Sequence, residues 1–348
     1  KPCPVAFVGE APSDVETTLG KPLVGPAGAV FNQALALAGL KREEHFITNL
    51  FDEQAPDNDP LAWCAGTKES KGWVGYDLPQ FARGKWLRPE RAWHLVRLAE
   101  ELALARPKVI VTLGTAALWA FAGHAASIKT WRGAAFEARM VAPGVKCIAT
   151  IHPAAILHSD YKLLPIIAMD FAKAAREARA GAEVRYTPRE LLIEPTIEAV
   201  EAFAAEAEGF DGIVGLDLET IPLFRQIKCV AVALGPARLM TIPFVDYRQP
   251  GKSYWPDVAT ERRAVEALRR ICGCAAPKVM QNGAYDWWWL REIWGVDVRN
   301  YRHDTRLLHH ARYPELPKDL GTLGACYDNE RAWKSLRGGE AGAAKRED

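Results

Sequence analysis

The sequence contains no CxxC pair. Its seven cysteines, Cys3, Cys64, Cys147, Cys229, Cys272, Cys274 and Cys326, are an odd number at irregular spacing, which argues against a disulfide framework and for reduced, buried thiols. No charge dominates. Lys and Arg number 44 against 43 Asp and Glu, so a net +1 provides no bulk field toward nucleic acid, and such a partner would have to be held by local patches. There is no N-terminal signal pattern and no run that reads as a membrane span. The longest uncharged stretch, Val109 to Ile128, breaks at Gly114 between a β-branched half and an Ala/Leu/Trp-rich half, as a buried strand turning into a helix would. Internal repeats are absent. With 49% apolar and 25% charged residues in 348, the chain is expected to be an ordinary globular protein of two or three domains, cytoplasmic and without a membrane partner.

Four short apolar runs in the first half, Val5–Val8, Phe46–Leu50, Lys108–Leu113 and Lys146–Ile151, read as buried parallel strands. Helical patterns separate them. After Pro89, residues Ala92, Leu95, Val96, Ala99, Leu102 and Ala103 recur at helical spacing, with Arg91, Arg97, Glu100 and Glu101 outside the stripe. Asp160–Ala182 is a second long helical stretch. Alternating strands and helices predict a doubly wound α/β domain over residues 1–185. A segment bracketed by Pro188 and Pro195 predicts a linker over 186–195. Beyond it come a helix from Thr196, strands Gly212–Leu218, Lys228–Leu234 and Arg238–Phe244 in an antiparallel meander, helices Ala259–Ile271 and Asp286–Ile293, and a strand Lys278–Met280. A second domain over 196–333 and a tail over 334–348 complete the expectation.

Three polar residues stand just at or past the carboxyl ends of the expected strands: Glu10, Asn49 and His152. In an open parallel sheet that edge is where ligands bind. The segments VGEAPSDVETTLGKPLVGPAG (Val8–Gly28), ITNL (Ile47–Leu50), PKVIVTLGTAALWAFAG (Pro107–Gly123) and TIHPAAIL (Thr150–Leu157) together resemble the family 4-like uracil-DNA glycosylases, over about residues 4–180. The resemblance implies that the Glu10 motif positions the attacking water, Asn49 reads the uracil edge and His152 contacts the departing base. The residue types suit that chemistry. Glycosidic cleavage leaves positive charge on the sugar and negative charge on the base, which a carboxylate and a donor stabilise. A flipped base needs a partner that both gives and takes hydrogen bonds. Gly25 and Gly28 would let backbone amides approach a phosphate.

Two departures stand out. Leu23 occupies the place of the aromatic on which the base stacks in that family, a change expected to weaken uracil binding by about 1–3 kcal/mol. The family's iron–sulfur ligands have no match, so no cluster is expected.

In the second half, GLDLET (Gly215–Thr220) sets Asp217 and Glu219 two apart on a strand, with both carboxylates on one face. Such a pair is tolerated where a divalent cation lies between the acids. Asp286, at a strand-to-helix turn after Asn282, is a third acid able to converge on them. These motifs and the stretch His303–Tyr327 resemble the 3′–5′ proofreading exonuclease domain of family A DNA polymerases, of the DEDD type and ribonuclease H-like mixed-sheet fold, over about residues 196–330. The resemblance implies Asp217, Glu219 and Asp286 as ligands of two Mg²⁺ or Mn²⁺ ions, with Asn282 near the substrate. Asp304 reads as a helix N-cap. His303, His309 and His310 lack partners at zinc-ligand spacing. The family's third motif, a tyrosine four residues before an aspartate, has no match after Tyr327, so the expected two-metal site is incomplete within this chain.

Together the halves resemble the front part of a bacteriophage-type DNA polymerase. The expected partners are DNA, single-stranded or a primer 3′ end, and a C-terminal polymerase domain of the same parent chain. Three functional readings stay open: a metal-dependent exonuclease with a glycosylase-like module of little or no uracil excision, a DNA-binding scaffold with two relic sites, and an active uracil-DNA glycosylase.

Overall fold

The computed structural model describes residues 3–158, 161–249 and 251–328. Among the described residues the chain divides into two units, 3–186 with 321–328, and 187–320. The expected tail over 334–348 lies outside the described residues.

The first unit contains β1 (Val5–Gly9), β2 (Phe46–Asn49), β3 (Cys64–Gly66), β4 (Lys85–Leu87), β5 (Val109–Leu113), β6 (Ala135–Glu137) and β7 (Lys146–Thr150). Five form a sheet in the order β2-β1-β5-β7-β6, parallel except for β6, which runs antiparallel to β7. The four expected strands are its parallel members. Every residue of β1, β5 and β7 is buried because both faces are covered. On one face pack Phe31, Ile167 and Phe171 from helices Pro26–Leu37 and Leu164–Ala180. On the other pack Leu98, Leu118 and Trp119 from helices Trp93–Ala105 and Thr115–Ala122.

The uncharged run is β5 followed by helix Thr115–Ala122, buried from Ala116 through Ala122, and no helix among the described residues is long and apolar enough to cross a membrane. Helix Trp93–Ala105 buries His94, Leu95, Leu98 and Leu102, whereas Val96, expected to face inward, is 60% exposed. Two stripes one residue apart fit the same periodicity, and the bulkier one is the one that packs.

The second unit contains β8 (Glu190–Leu192), β9 (Val214–Ile221), β10 (Gln226–Leu234), β11 (Arg238–Pro243), β12 (Lys278–Met280) and β13 (Tyr301–Asp304), in the order β13-β12-β9-β10-β11-β8. β9, β10 and β11 form the antiparallel meander, while β12 runs parallel to β9, β13 to β12 and β8 to β11. This mixed sheet is the kind that the exonuclease resemblance implies. Helices Ile197–Glu208 and Val258–Gly273 cover one face, where Val214, Leu216 and Leu218 meet Phe203 and Leu268. β9 is buried on one face only: its residues alternate, Asp217 and Glu219 are exposed, and the preceding Ile213, apolar though it is, is 47% exposed.

Two boundaries differ from expectation. The proline-bracketed segment carries β8, held by Glu190 donating its N–H to Ala237 O at 2.7 Å and by the Arg238–Glu190 ion pair. Residues 321–328, expected to continue the second domain, pack within the first unit, where their carbonyls accept from buried Arg132 and Lys173.

Candidate functional sites

The first site forms where the strand order reverses, between β1 and β5, as open α/β sheets place their ligands. Glu10 follows β1. Its Oε1 accepts the N–H of Ala116 at 3.1 Å, in the first turn of helix Thr115–Ala122, where unpaired amides and the helix dipole favour a carboxylate. Gly114, at φ +89°, precedes that helix, and a Cβ there would press on Glu10 Oε1 and on His152 Cβ. Asn49 pairs in register with Gly9, and a Cβ on Gly9 would collide with Asn49 Oδ1 and lie 3.8 Å from His152 Nε2. Two glycines thus leave the room in which Glu10, Asn49 and His152 meet.

His152 Nδ1 accepts the N–H of Ala154 at 3.2 Å. In the neutral ring the proton therefore sits on Nε2, the ring atom that faces the space beside Gly9. Below this motif the Thr150 hydroxyl donates to Asp170 at 2.6 Å, and Asp170 is paired with Arg132 at 2.9 Å, both buried.

Leu23 is 2% exposed, packed in the core with Val30 and Phe31, and its φ of 51° is rare for a leucine. Its carbonyl lies against Gly28, where any Cβ would collide. Gly25 N–H points at Glu16 Oε1 at 3.5 Å, the same oxygen that accepts from Val24 at 3.0 Å, so this amide is already directed at a carboxylate rather than open to a phosphate. Phe51 is fully buried, edge-on to Trp63 and His94. A cleft of about 480 Å³ reaches Asn49 and Phe51, with Thr48, Arg97 and Glu101 also in its wall. Sequence reasoning missed Arg97, Glu101 and His94. The Arg97–Glu101 spacing of four is a visible signal for an ion pair, but its target on β2 is not.

In the second unit, Asp286 sits in the first turn of helix Ala284–Trp294, 4% exposed. Pairing of β9 with β12 stops at Gly215, and beyond it the N–H of Leu218 is free to donate to Asp286. Burial, then the charge of Asp217, followed by those of Asp304 and Glu219, push the Asp286 carboxyl up to about 7. Asp304 does more than cap its helix. Oδ1 accepts from Arg306 and Leu307, while Oδ2 accepts the Tyr301 hydroxyl at 2.7 Å and the Gly283 N–H at 2.9 Å. Burial alone would raise its carboxyl, but these bonds outweigh that and hold it low. Asn282, at φ 60°, accepts at its Oδ1 a hydrogen bond from the Arg306 guanidinium at 2.9 Å.

Among the described residues no three His, Cys, Asp or Glu side chains are arranged as a ready metal shell. Asp217, Glu219 and Asp286 are nonetheless hard-oxygen donors, the type that Mg²⁺ and Mn²⁺ take.

A parallel α/β sheet with carboxylate, carboxamide and imidazole at its switch point defines a ligand-handling domain of the doubly wound class. Residues 2–177 match the Uracil DNA glycosylase superfamily, and the chain belongs to that superfamily. It is 34% identical over 159 residues to the Type-4 uracil-DNA glycosylase of Archaeoglobus fulgidus, covering 44% of this chain and 67% of that protein. To the Type-4 enzyme of Thermotoga maritima it is 29% identical over 172 residues, covering 49% and 75%. A crystal structure of the EXD2 exonuclease domain soaked with Mg and GMP aligns over 39% of this chain and 68% of that one, at 17% identity and a TM-score of 0.26.

Proposed function

We propose that the first unit binds uracil flipped out of single-stranded DNA and excises it slowly. The observation that carries this reading is the convergence of Glu10, Asn49 and His152 around Gly9 and Gly114. Asn49 reads the pairing edge of the base. The Nε2 proton of His152 faces the base oxygen that gains charge as the glycosidic bond breaks, and Glu10, steadied by Ala116, offsets the positive sugar and orients water. Each stabilises charge that develops in the transition state. The position that holds the stacking aromatic in the resembled family carries Leu23, whose side chain is packed in the core and supplies no platform, hence slow excision. The test is release of uracil from single-stranded DNA by the native chain, by Asn49→Ala and by His152→Ala; release unaffected by both substitutions refutes the reading.

A second activity is favoured by one observation in the other unit: Asp286 is buried in the first turn of its helix, where burial and the nearby charges of Asp217, Asp304 and Glu219 push its carboxyl up to about 7. We infer that Asp217, Glu219 and Asp286 hold Mg²⁺ or Mn²⁺ and that this unit trims DNA 3′ ends, with Asn282 near the substrate. A bound divalent ion would supply Lewis-acid activation of water and phosphate. The residues of the chain itself gather the negative charge and, through Leu218 N–H, fix Asp286 against β9. A glycosylase-type unit with an exonuclease-type unit supports placing the chain at the front of a phage-type, family A DNA polymerase acting in replication and repair. Nuclease assays with Mn²⁺ on the native chain and on Asp217→Ala test the metal assignment, which equal rates would overturn.

A further inference from the structure

Helix Trp93–Ala105 turns three polar side chains, His94, Arg97 and Glu101, toward the end of β2 at spacings of three and four, so they share one helical face. Arg97 donates through one terminal nitrogen to the carbonyls of Asn49, at 2.6 Å, and Leu50, at 2.9 Å. Its other nitrogen donates to Glu101 at 2.5 Å and reaches the Thr48 hydroxyl at 3.4 Å, while that hydroxyl donates to Glu101 at 2.8 Å. His94 Nδ1 accepts the N–H of Asp52 at 3.2 Å. From the other side, Leu50 and Phe51 donate their N–H groups to the carbonyls of Gly9 and Glu10, each at 2.9 Å.

β2 is the edge strand of its sheet, and among the described residues no strand lies beyond it to hold its outward carbonyls. Arg97 stands where that strand would be. A peptide plane held at both ends fixes the backbone torsions beside it, and ψ of Asn49 so fixed sets the direction in which the Asn49 side chain leaves the strand toward Gly9.

We propose that Arg97, locked by Glu101 and assisted by His94, is a positioning residue for base recognition: it sets the angle at which Asn49 meets the pairing edge of the base. The inference rests on the reading of Asn49 as the base-reading residue. It goes beyond that reading in assigning discrimination between uracil and cytosine, whose pairing edges present different donors and acceptors, to a helix that does not itself present a base contact. Guanidinium geometry matters here, since one nitrogen serves two carbonyls while the other is fixed by a carboxylate, an arrangement that lysine cannot reproduce.

The experiment compares native chain, Arg97→Lys, Glu101→Gln and Asn49→Ala, each checked for cooperative unfolding. The first readout is the binding ratio of uracil- over cytosine-containing single-stranded oligonucleotides, two bases that differ at the pairing edge. The second is the carboxamide resonance of Asn49 in chain labelled with ¹⁵N-asparagine, assigned by its loss in Asn49→Ala.

The proposal expects Arg97→Lys and Glu101→Gln to lower the uracil preference by about tenfold, as a displacement of the order of an ångström does to aligned groups, and to broaden or shift the Asn49 resonance. A merely structural brace would lower the unfolding midpoint and leave both readouts in place. An unchanged preference and resonance in folded Arg97→Lys overturns the proposal. If Arg97→Lys does not fold, Glu101→Gln, which keeps the arginine, carries the same two outcomes. A native chain with no uracil preference refutes the base-reading assignment instead, and there the Asn49 resonance alone decides whether Arg97 positions it.

Discussion

Lys173, 2% exposed on helix Leu164–Ala180, donates its Nζ to the carbonyl of Ala325 at 3.0 Å, across 152 residues of sequence. The same Nζ donates to Gly133 O at 2.7 Å and to Asp328 O, while Arg132 donates to Thr322 O at 3.3 Å. The second unit is therefore inserted within the first along the chain, and the residues that follow it supply acceptors for two buried cations.

Ending the chain after Leu320 removes two of those three lysine acceptors and leaves a buried ammonium short of partners. Such a loss is expected to destabilise the first unit by about 2–5 kcal/mol, seen as a lower unfolding midpoint in urea. Lys173→Met in the truncated chain should recover part of the loss, because no charge is then left stranded.

His94 is fully buried, and burial, outweighing the nearby Glu53, pushes its imidazole down to about 4. Its folded value lies below the unfolded one of about 6.5, so the unfolded chain takes up the proton first as pH falls. Stability contributed by the neutral ring is present above pH 6.5 and is lost progressively toward pH 4. Substitution by phenylalanine should flatten this part of the stability profile by about 1–3 kcal/mol, as measured by denaturant titration at several pH values.

Asp286 has the opposite sign. Its folded value, about 7, lies above the unfolded one of about 3.9, so stability falls as pH rises through that window. Asp286→Asn should raise stability at pH 8 by an amount on the order of 2 kcal/mol while abolishing any Mn²⁺-dependent nuclease activity. A carboxyl that behaves ordinarily would give no stabilisation on this substitution.

Leu23 sits in the core at φ 51° with its carbonyl on Gly28. Leu23→Phe adds volume to a closed site beside Val30 and Phe31 and is expected to lower stability by about 1–3 kcal/mol by calorimetry.

Long apolar runs made much of the frame legible. β1, β2, β5 and β7 stand where β-branched clusters do, and the meander β9–β10–β11 follows from short connections between alternating strands. Elements that depend on distant partners were not legible. β6 and β8 have only three residues each and owe their pairing to β7 and β11, and the return of residues 321–328 is dictated by Lys173 and Arg132. At the first site, strand ends revealed Glu10, Asn49 and His152 because ligands collect there. The role of Arg97 was hidden because its partners are backbone carbonyls, which carry no sequence signature. Asp304 was half legible: its capping bonds are local, whereas those from Gly283 and Asn282 reach it from another strand end.

The account stands most directly on one assay, uracil release from single-stranded DNA carrying a single uracil, compared with the same strand carrying thymine. It predicts slow release from the uracil strand alone, reduced at least tenfold by Asn49→Ala and by His152→Ala with the fold retained. Equal handling of the two strands by the native chain, or uracil release that persists undiminished in both variants, would contradict it.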